Sequence, residues 1–272
     1  MHPVLFQFGS VTIYTYGVLV ATGVVLGLLY ARRQAPRADL DPEKTWNMGI
    51  YAVLVALLLA KVWLVLSSWS YYVAHPRDIV SIATFESGGT FYGGVLGAVL
   101  TILFYSVVQK MPLVSVLDTF AAALPLGHAI GRLGCFAAGC CYGKPTTLPW
   151  GVRFTNPAAA QIAGTPLDVR LHPTQLYEVG AELVNFAILV WVGRRQRFKG
   201  QLLGTYLFLY GAERATVEFF RGDPGRTMLF NNSISLMQIA SAGLIVAGAF
   251  LWYRGLRAAA AVEPAAPLPA DR

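Results

Sequence analysis

Residues 116–134 read VLDTFAAALPLGHAIGRLG, an apolar run that closes on His128 and Arg132. A helix crosses the hydrocarbon core of a bilayer in about 20 residues, and this run has that length. Six further runs of similar length flank it, at 13–31, 47–67, 89–109, 177–194, 200–220 and 234–254. Charged residues make up 13% of the chain, against about 25% in a soluble domain. With 56% hydrophobic residues and a mean hydropathy of +0.54, water is not the main solvent. The expected fold is all-α, a polytopic membrane domain of seven transmembrane helices over residues 1–257, with a disordered Ala/Pro-rich tail at 258–272. The fifth span is the weakest, because Glu178 and Glu182 lie near its start. An even-numbered bundle without it is the alternative.

The net charge of +7 invites a nucleic-acid reading, but its distribution follows the positive-inside rule instead. The segments after spans one, three, five and seven hold twelve of the 21 Lys and Arg residues, and the other loops hold six. The N-terminus is therefore expected outside and the C-terminus in the cytoplasm. No basic residue precedes the first span, so a retained helix is expected there rather than a secretory signal.

This topology gathers polar side chains at one depth. Tyr14 and Tyr16, then Glu86, Thr90 and Tyr92, then His128 and Arg132, fall at the outer ends of their spans. So do His172, Gln175, Tyr177 and Glu178, then Glu213, Arg214 and Glu218, then Ser235 and Gln238. An Arg at the centre of a membrane helix costs about 2.5–3.5 kcal/mol on insertion scales, and such residues face a bundle interior or a cavity. In the sixth span Tyr210, Arg214, Glu218 and Arg221 fall within about 80° on a helical wheel. That stripe is either an ion-pair ladder locking helices together or one wall of a wet cavity. In the second case Arg132 and Arg214 remain to grip an anion, since guanidinium is planar, permanently charged and bidentate towards phosphate. Gly93, Gly94 and Gly97 suit close helix packing. Gly88, Gly89, Gly134, Gly139 and Gly143 sit at span ends, where close backbone approach to a headgroup is equally open.

All three cysteines fall in GRLGCFAAGCCYGKP, residues 131–145. A C-x4-C-C spacing is poor for zinc, although His128 or His172 could be enlisted. On an oxidising side a Cys135–Cys140 or Cys135–Cys141 disulfide is the stronger option. A catalytic thiol would need a base, for which His128 is a weak candidate. Small residues filling a tight re-entrant turn is the plainest account. Cys135→Ser, Cys140→Ser and Cys141→Ser are then each expected to keep substantial activity, and loss in all three would favour the thiol or metal readings.

The same residues carry a resemblance. GRLGCFAAGCCYGKP resembles the Gly-Arg-x-Gly-Asn-Phe-x-Asn-x-Glu-x-x-Gly pattern of the bacterial prolipoprotein diacylglyceryl transferases. HPTQLYE at 172–178 is similar to their His-Pro-Ser-Gln-Leu-Tyr-Glu segment, and YGAERATVEFFR at 210–221 to Tyr-Gly-x-x-Arg-x-x-x-Glu-Phe-x-Arg. YTYG and TFYGG stand where that family has Trp-Tyr-Gly and Phe-His-Gly-Gly. The resemblance runs in family order from about residue 13 to 240. It implies a transferase that takes the diacylglyceryl group of phosphatidylglycerol to the thiol of a lipobox cysteine in a preprolipoprotein. A thioether forms and glycerol phosphate leaves. It also implies a bacterial cytoplasmic (inner) membrane location, a site towards the extracytoplasmic side, and no metal, cofactor or nucleic acid. Matched positions are Tyr16, Arg132, Gly143, Tyr210, Arg214 and Glu218, with Gly131, Gly134, His172, Gln175 and Glu178 of less defined role.

Three departures from the pattern bear on the chemistry. Cys135 replaces its asparagine, Cys140 its glutamate and Tyr92 its histidine. These changes remove an amide donor, a charge and a near-neutral base. The catalytic set expected is Arg132, Arg214, Tyr92 and Glu218. Substrate binding falls to Tyr16, Tyr210, Gly143, Cys135, Cys140, His172, Gln175 and Glu178. The arginines would hold the leaving phosphate, and Tyr92, Glu218, Glu178, His128 and His172 all stay open as proton acceptor. A divergent paralogue with another lipid or acceptor, a transporter, and a non-catalytic lipid-binding protein are the rival readings.

Overall fold

The computed structural model describes residues 2–9, 11–81, 89–224, 226–230 and 233–262. Glu86 and Gly88, and residues 263–272 of the expected tail, lie outside the described residues. The chain runs through β1 (Val4–Phe8), β2 (Val11–Tyr14), α1 (Thr15–Gln34), α2 (Pro42–Ser67), α3 (Trp69–Ala74), α4 (Phe91–Val108) and α5 (Leu113–Ala138). Then come β3 (Val152–Arg153), α6 (Pro157–Ala163), β4 (Arg170–Leu171), α7 (Thr174–Gly193) and α8 (Gln201–Glu218). The strands β5 (Met228–Leu229) and β6 (Ile234–Ser235) precede α9 (Leu236–Val262). The three short antiparallel strand pairs are not expected from the sequence; the first precedes α1, and the other two lie between helices. Helix α9 extends five residues into the segment expected to be disordered.

A helix stands at each of the seven expected spans. Six of them, α1, α2, α4, α5, α7 and α9, are long and apolar enough to cross a membrane. The exception is α8 rather than the fifth helix. In α7 the acidic pair Glu178 and Glu182 sits at the N-terminal end, ahead of an apolar stretch. In α8, Glu213, Arg214 and Glu218 occupy one end of an 18-residue helix.

Contacts divide the chain into two units. One comprises residues 31–116 and the other residues 1–30 with 117–272. In the first, α2 begins where the Asp41 side chain accepts from Lys44 N at 2.8 Å, with Pro42 next to it, a standard start signal. Helix α4 lies against α2 so closely that a Cβ on Gly93 or Gly97 would fall 2.4 Å or 2.8 Å from a backbone oxygen of α2. Gly94 has ordinary room, its nearest neighbour 3.8 Å away, so small-residue packing accounts for the first two and not the third.

In the second unit, α1 and α5 meet through Gly23 and Gly127. A Cβ on Gly23 would sit 2.6 Å from Gly127 O. Gly204 and Gly248 do the same for α8 and α9, where a Cβ on Gly248 would lie 2.6 Å from Gly204 O. Apolar lipid gives no hydrophobic drive for helix association, so such backbone-to-backbone contact carries the packing. Helix α8 is fixed at its N-terminus by the buried Asp118 of α5, which accepts from Gly200 N at 2.6 Å and Leu203 N at 2.8 Å. The carboxylate satisfies donors that no helical carbonyl can reach and faces the positive end of the helix dipole. At α9, Ser235 and Gln238 form a reciprocal cap, with Ser235 N donating to Gln238 Oε1 and Gln238 N to Ser235 Oγ. Their predicted place among the outer polar groups therefore has a local structural use.

Gly23→Val should lower the thermal unfolding midpoint in detergent, at a cost of about 1–3 kcal/mol for overpacking. Gly17→Ala, with nothing within 4 Å of its added Cβ, should leave the midpoint in place. Equal midpoints for both variants would contradict close α1–α5 contact.

Candidate active site

Polar groups at the C-terminal ends of α5 and α8 and the N-terminal end of α7 form one connected network. Glu178 of α7 is buried and pairs with Arg132 Nε of α5. Its other oxygen lies 3.9 Å from Arg214 Nη1 of α8. Arg214 Nη2 is 2.8 Å from Glu218, one turn further along α8. Glu218 in turn meets Arg226 Nη1 at 3.5 Å. At the other end Arg132 Nε also donates to His128 Nε2 at 3.2 Å, and His128 Nδ1 pairs with the fully buried Glu182. The two predicted arginines thus share one carboxylate. A ladder and a cationic site are the same object here. The excess donors are specific. Arg214 Nη1 is buried and has no hydrogen-bond partner among the described residues, its distance to Glu178 being too long for one.

Sequence reasoning missed several members of this network. Arg226 is one of the six basic residues of the other loops, and Glu182 reads from sequence only as weakening the fifth span. The fourth member of the predicted α8 stripe does not belong to it. Helix α8 ends at Glu218, so helical phase no longer governs Arg221. Its guanidinium forms a two-pronged pair with Asp223 at 2.8 Å and 2.7 Å. Burial opposes its charge, but Asp223 more than offsets that and holds Arg221 above the ordinary guanidinium range. Glu213, one residue off the stripe, accepts from Asn185 at 2.6 Å.

The remaining expected residues divide into three sets. Tyr210 is half-buried beside His128, with ring centroids 5.7 Å apart, and Tyr16 packs on Gly134, whose Cβ would lie 3.2 Å from Tyr16 O. These border the network. Gly143, His172 and Gln175 instead build the loop above it. Gly143 N donates to His172 O at 3.0 Å, and Lys144 N donates to Phe220 O at 2.8 Å. A Cβ on Gly143 would sit 2.5 Å from His172 Cβ and 2.9 Å from Phe220 O, so only glycine fits between the two strands of chain. His172 Nδ1 meets the Tyr177 hydroxyl at 3.0 Å, which also accepts from Trp150 Nε1. Its ring is thereby committed within the loop. Tyr92 belongs to the 31–116 unit, exposed on the first turn of α4 with its ring edge-on to Phe91.

The cysteine turn follows α5 directly. Gln175 Nε2 donates to Cys140 O and Thr174 Oγ1 to Cys141 O, each at 2.7 Å. Cys141 takes φ +58°, a conformation uncommon for a side-chain-bearing residue. The result brings all three Sγ atoms within 4.8 Å of one another. Neither of the two disulfides left open by the sequence forms, and all three thiols are free. Cys140 Sγ points to Cys135 O at 3.7 Å, and Cys135 Sγ lies 3.9 Å from Arg132 Nη1. Hydrogen bonds from Cys135 and Cys140 hold the Cys141 thiol below the ordinary range, and bonding to Cys135 and Cys141 pushes the Cys140 thiol above it.

Beyond Glu218 a cleft of about 470 Å³ opens, lined among others by Lys144, Glu218, Asp223, Arg226 and Gln238. It has both the volume and the convergent charge of a polar-ligand site.

Comparison with known proteins agrees with this chemistry. A family model described as prolipoprotein diacylglyceryl transferase matches residues 3–254. A phosphatidylglycerol–prolipoprotein diacylglyceryl transferase of Clostridium tetani is 30% identical over 252 residues, covering 93% of this chain and 97% of that protein. Proteins of the same name from Finegoldia magna and Clostridioides difficile are each 32% identical. The first alignment covers 92% of this chain and 94% of the relative, the second 82% and 84%.

Glu178→Gln should destabilise the protein by about 3–5 kcal/mol, because it strips the shared counter-charge from two mostly buried guanidinium groups. Unfolding midpoints in detergent would reveal this. An unchanged midpoint would mean the arginines do not depend on Glu178.

Proposed function

Because the chain belongs to the prolipoprotein diacylglyceryl transferase family, we propose that it transfers the diacylglyceryl group of phosphatidylglycerol to a prolipoprotein, the acceptor being a lipobox cysteine thiol. One observation carries the site assignment: Arg132 and Arg214 converge on a single carboxylate, with the buried Arg214 Nη1 donor unpartnered among the described residues.

The reaction replaces a C–O bond to phosphate with a C–S bond at a glyceryl carbon. Negative charge grows on the leaving phosphate. Arg132 and Arg214 are fixed cations placed where that charge develops. Glu178 and Glu218 hold both guanidinium groups in place before substrate arrives, so little reorganisation is needed. The neighbouring cleft, with Lys144 and Arg226 in its wall, suits the glycerol phosphate headgroup. Tyr16 and Tyr210 orient that headgroup, and Tyr92 offers a hydroxyl at the family's histidine position. Gly143, His172 and Gln175 act by shaping the loop, as their hydrogen bonds suggest.

The protein resides in the bacterial cytoplasmic membrane, with seven spans, the N-terminus outside and the site towards the extracytoplasmic leaflet. Two observations support this reading. The basic residues favour one set of loops, and α8 is about 27 Å long by helical rise. The charges that cost α8 its apolar character are paired within the protein, which removes the main objection to burying it.

Purified protein given phosphatidylglycerol and a lipobox peptide should form the thioether. Arg132→Ala and Arg214→Ala should each reduce the rate at least about 100-fold, the cost of removing an oxyanion donor, while still inserting in the membrane. Full activity in either variant would take that arginine out of the mechanism. Absence of transfer by the unmodified protein would refute the reading itself.

A further inference from the structure

The network accounts for the phosphate but not for the acceptor's proton. The two matched carboxylates are engaged as counter-ions of arginines, and His172 is engaged with Tyr177. Beside Arg132, however, stand three free thiols that the reaction has not yet used. Two of them, Cys135 and Cys140, occupy positions where the sequence departs from the family pattern.

We propose that Cys135, Cys140 and Cys141 hold one zinc ion through three thiolates, and that the fourth position on the metal takes the acceptor's cysteine thiol. The second half rests on the transfer reading above. Zinc–sulfur bonds of about 2.3 Å place the sulfurs of a tetrahedral site about 3.8 Å apart. The three Sγ atoms already lie within 4.8 Å, so closure needs a shift of about 1 Å, within reach of side-chain rotation. The C-x4-C-C spacing looked poor because zinc sites usually take their sulfurs from paired short spacings. Here the end of α5 supplies one sulfur and a turn with Cys141 at φ +58° turns two adjacent residues towards it. Gln175 and Thr174 pin the carbonyls of that turn, as supporting groups orient ligands in metal sites. No imidazole or carboxylate joins the cluster among the described residues. A three-ligand zinc site keeps one position open, the mark of a catalytic rather than a structural site. Cys140 and Cys141 are only partly buried, which leaves that position reachable. Three thiolates on a divalent ion carry a net negative charge, and Arg132 Nη1 stands 3.9 Å from Cys135 Sγ to offset it.

A thiol that binds zinc is deprotonated by doing so. The acceptor's proton is released to solvent as its sulfur joins the metal. That sulfur then attacks the glyceryl carbon bonded to phosphate oxygen. The C–S bond forms as the C–O bond breaks, and the bonding pair leaves with glycerol phosphate between Arg132 and Arg214. No electron is gained or lost overall.

Metal analysis of the full-length protein purified in detergent should find one zinc per chain. Cys140→Ser and Cys141→Ser should each lower zinc affinity at least tenfold in competition with a chromophoric chelator. The cobalt-substituted protein should show thiolate-to-cobalt charge-transfer absorption that changes on adding a lipobox peptide, and not its Cys→Ser counterpart. Absence of zinc, copper in its place, or a disulfide found by alkylation and mass spectrometry would overturn the site. Zinc bound with a cobalt spectrum indifferent to the thiol peptide would overturn the fourth-ligand role. Transfer at full rate by metal-stripped protein would overturn the inference and leave the transfer reading standing. Zinc and a responsive spectrum without any transfer would do the reverse, supporting the thiol site while the transfer reading fails.

Discussion

Glu178 is a buried carboxylate between two mostly buried guanidinium groups, and the site depends on it. Isolated charges in a low-dielectric interior are costly, and removing one member of a buried pair leaves the other uncompensated. By joining Arg132 of α5 to Arg214 of α8, the side chain on α7 ties three helices at one depth. Glu218 and Arg226 extend the chain of charges at one end, and His128 with Glu182 at the other. The alternation of sign lets two cations stand close together without mutual repulsion forcing them apart. It also leaves a donor unspent, which is what an anion site requires.

The loop that follows α5 performs a different task. Its backbone pairs on one side with residues 170–172 and on the other with the end of α8. Tyr142, Phe154 and Leu171 form a small apolar core beneath it. This arrangement fixes the cysteine turn, with Gly143 and Gln175 holding the loop without either touching a guanidinium. The loop's rigidity converts a scattered set of motif residues into a constant geometry.

Membrane residence and site chemistry are linked through α8. Six helices have the length and apolarity to cross a bilayer, and α8 carries Glu213, Arg214 and Glu218. Its glycines let α9 approach at backbone distance, and Asp118 secures its N-terminus. The most polar helix is thus held by packing and capping, while its charges are satisfied by its neighbours.

Hydropathy alone determined the helical class, the position of every long helix and the location of the polar ends, because a bilayer imposes a length and an apolar content that composition must meet. Residue types and motif order were enough to single out Arg132, Arg214, Glu178 and Glu218. Tertiary structure decided the partners. Whether a carboxylate satisfies one guanidinium or two depends on the rotation of helices distant in sequence, and helical phase within one segment carries no information about that. Phase also ends with the helix, so Arg221 left the predicted stripe once α8 stopped at Glu218. The free, clustered thiols likewise follow from a left-handed residue at Cys141 and two side chains of α7 gripping the turn. Spacing along the chain could not reveal them, because the approach of sulfur atoms is set by contacts across elements rather than by residue count.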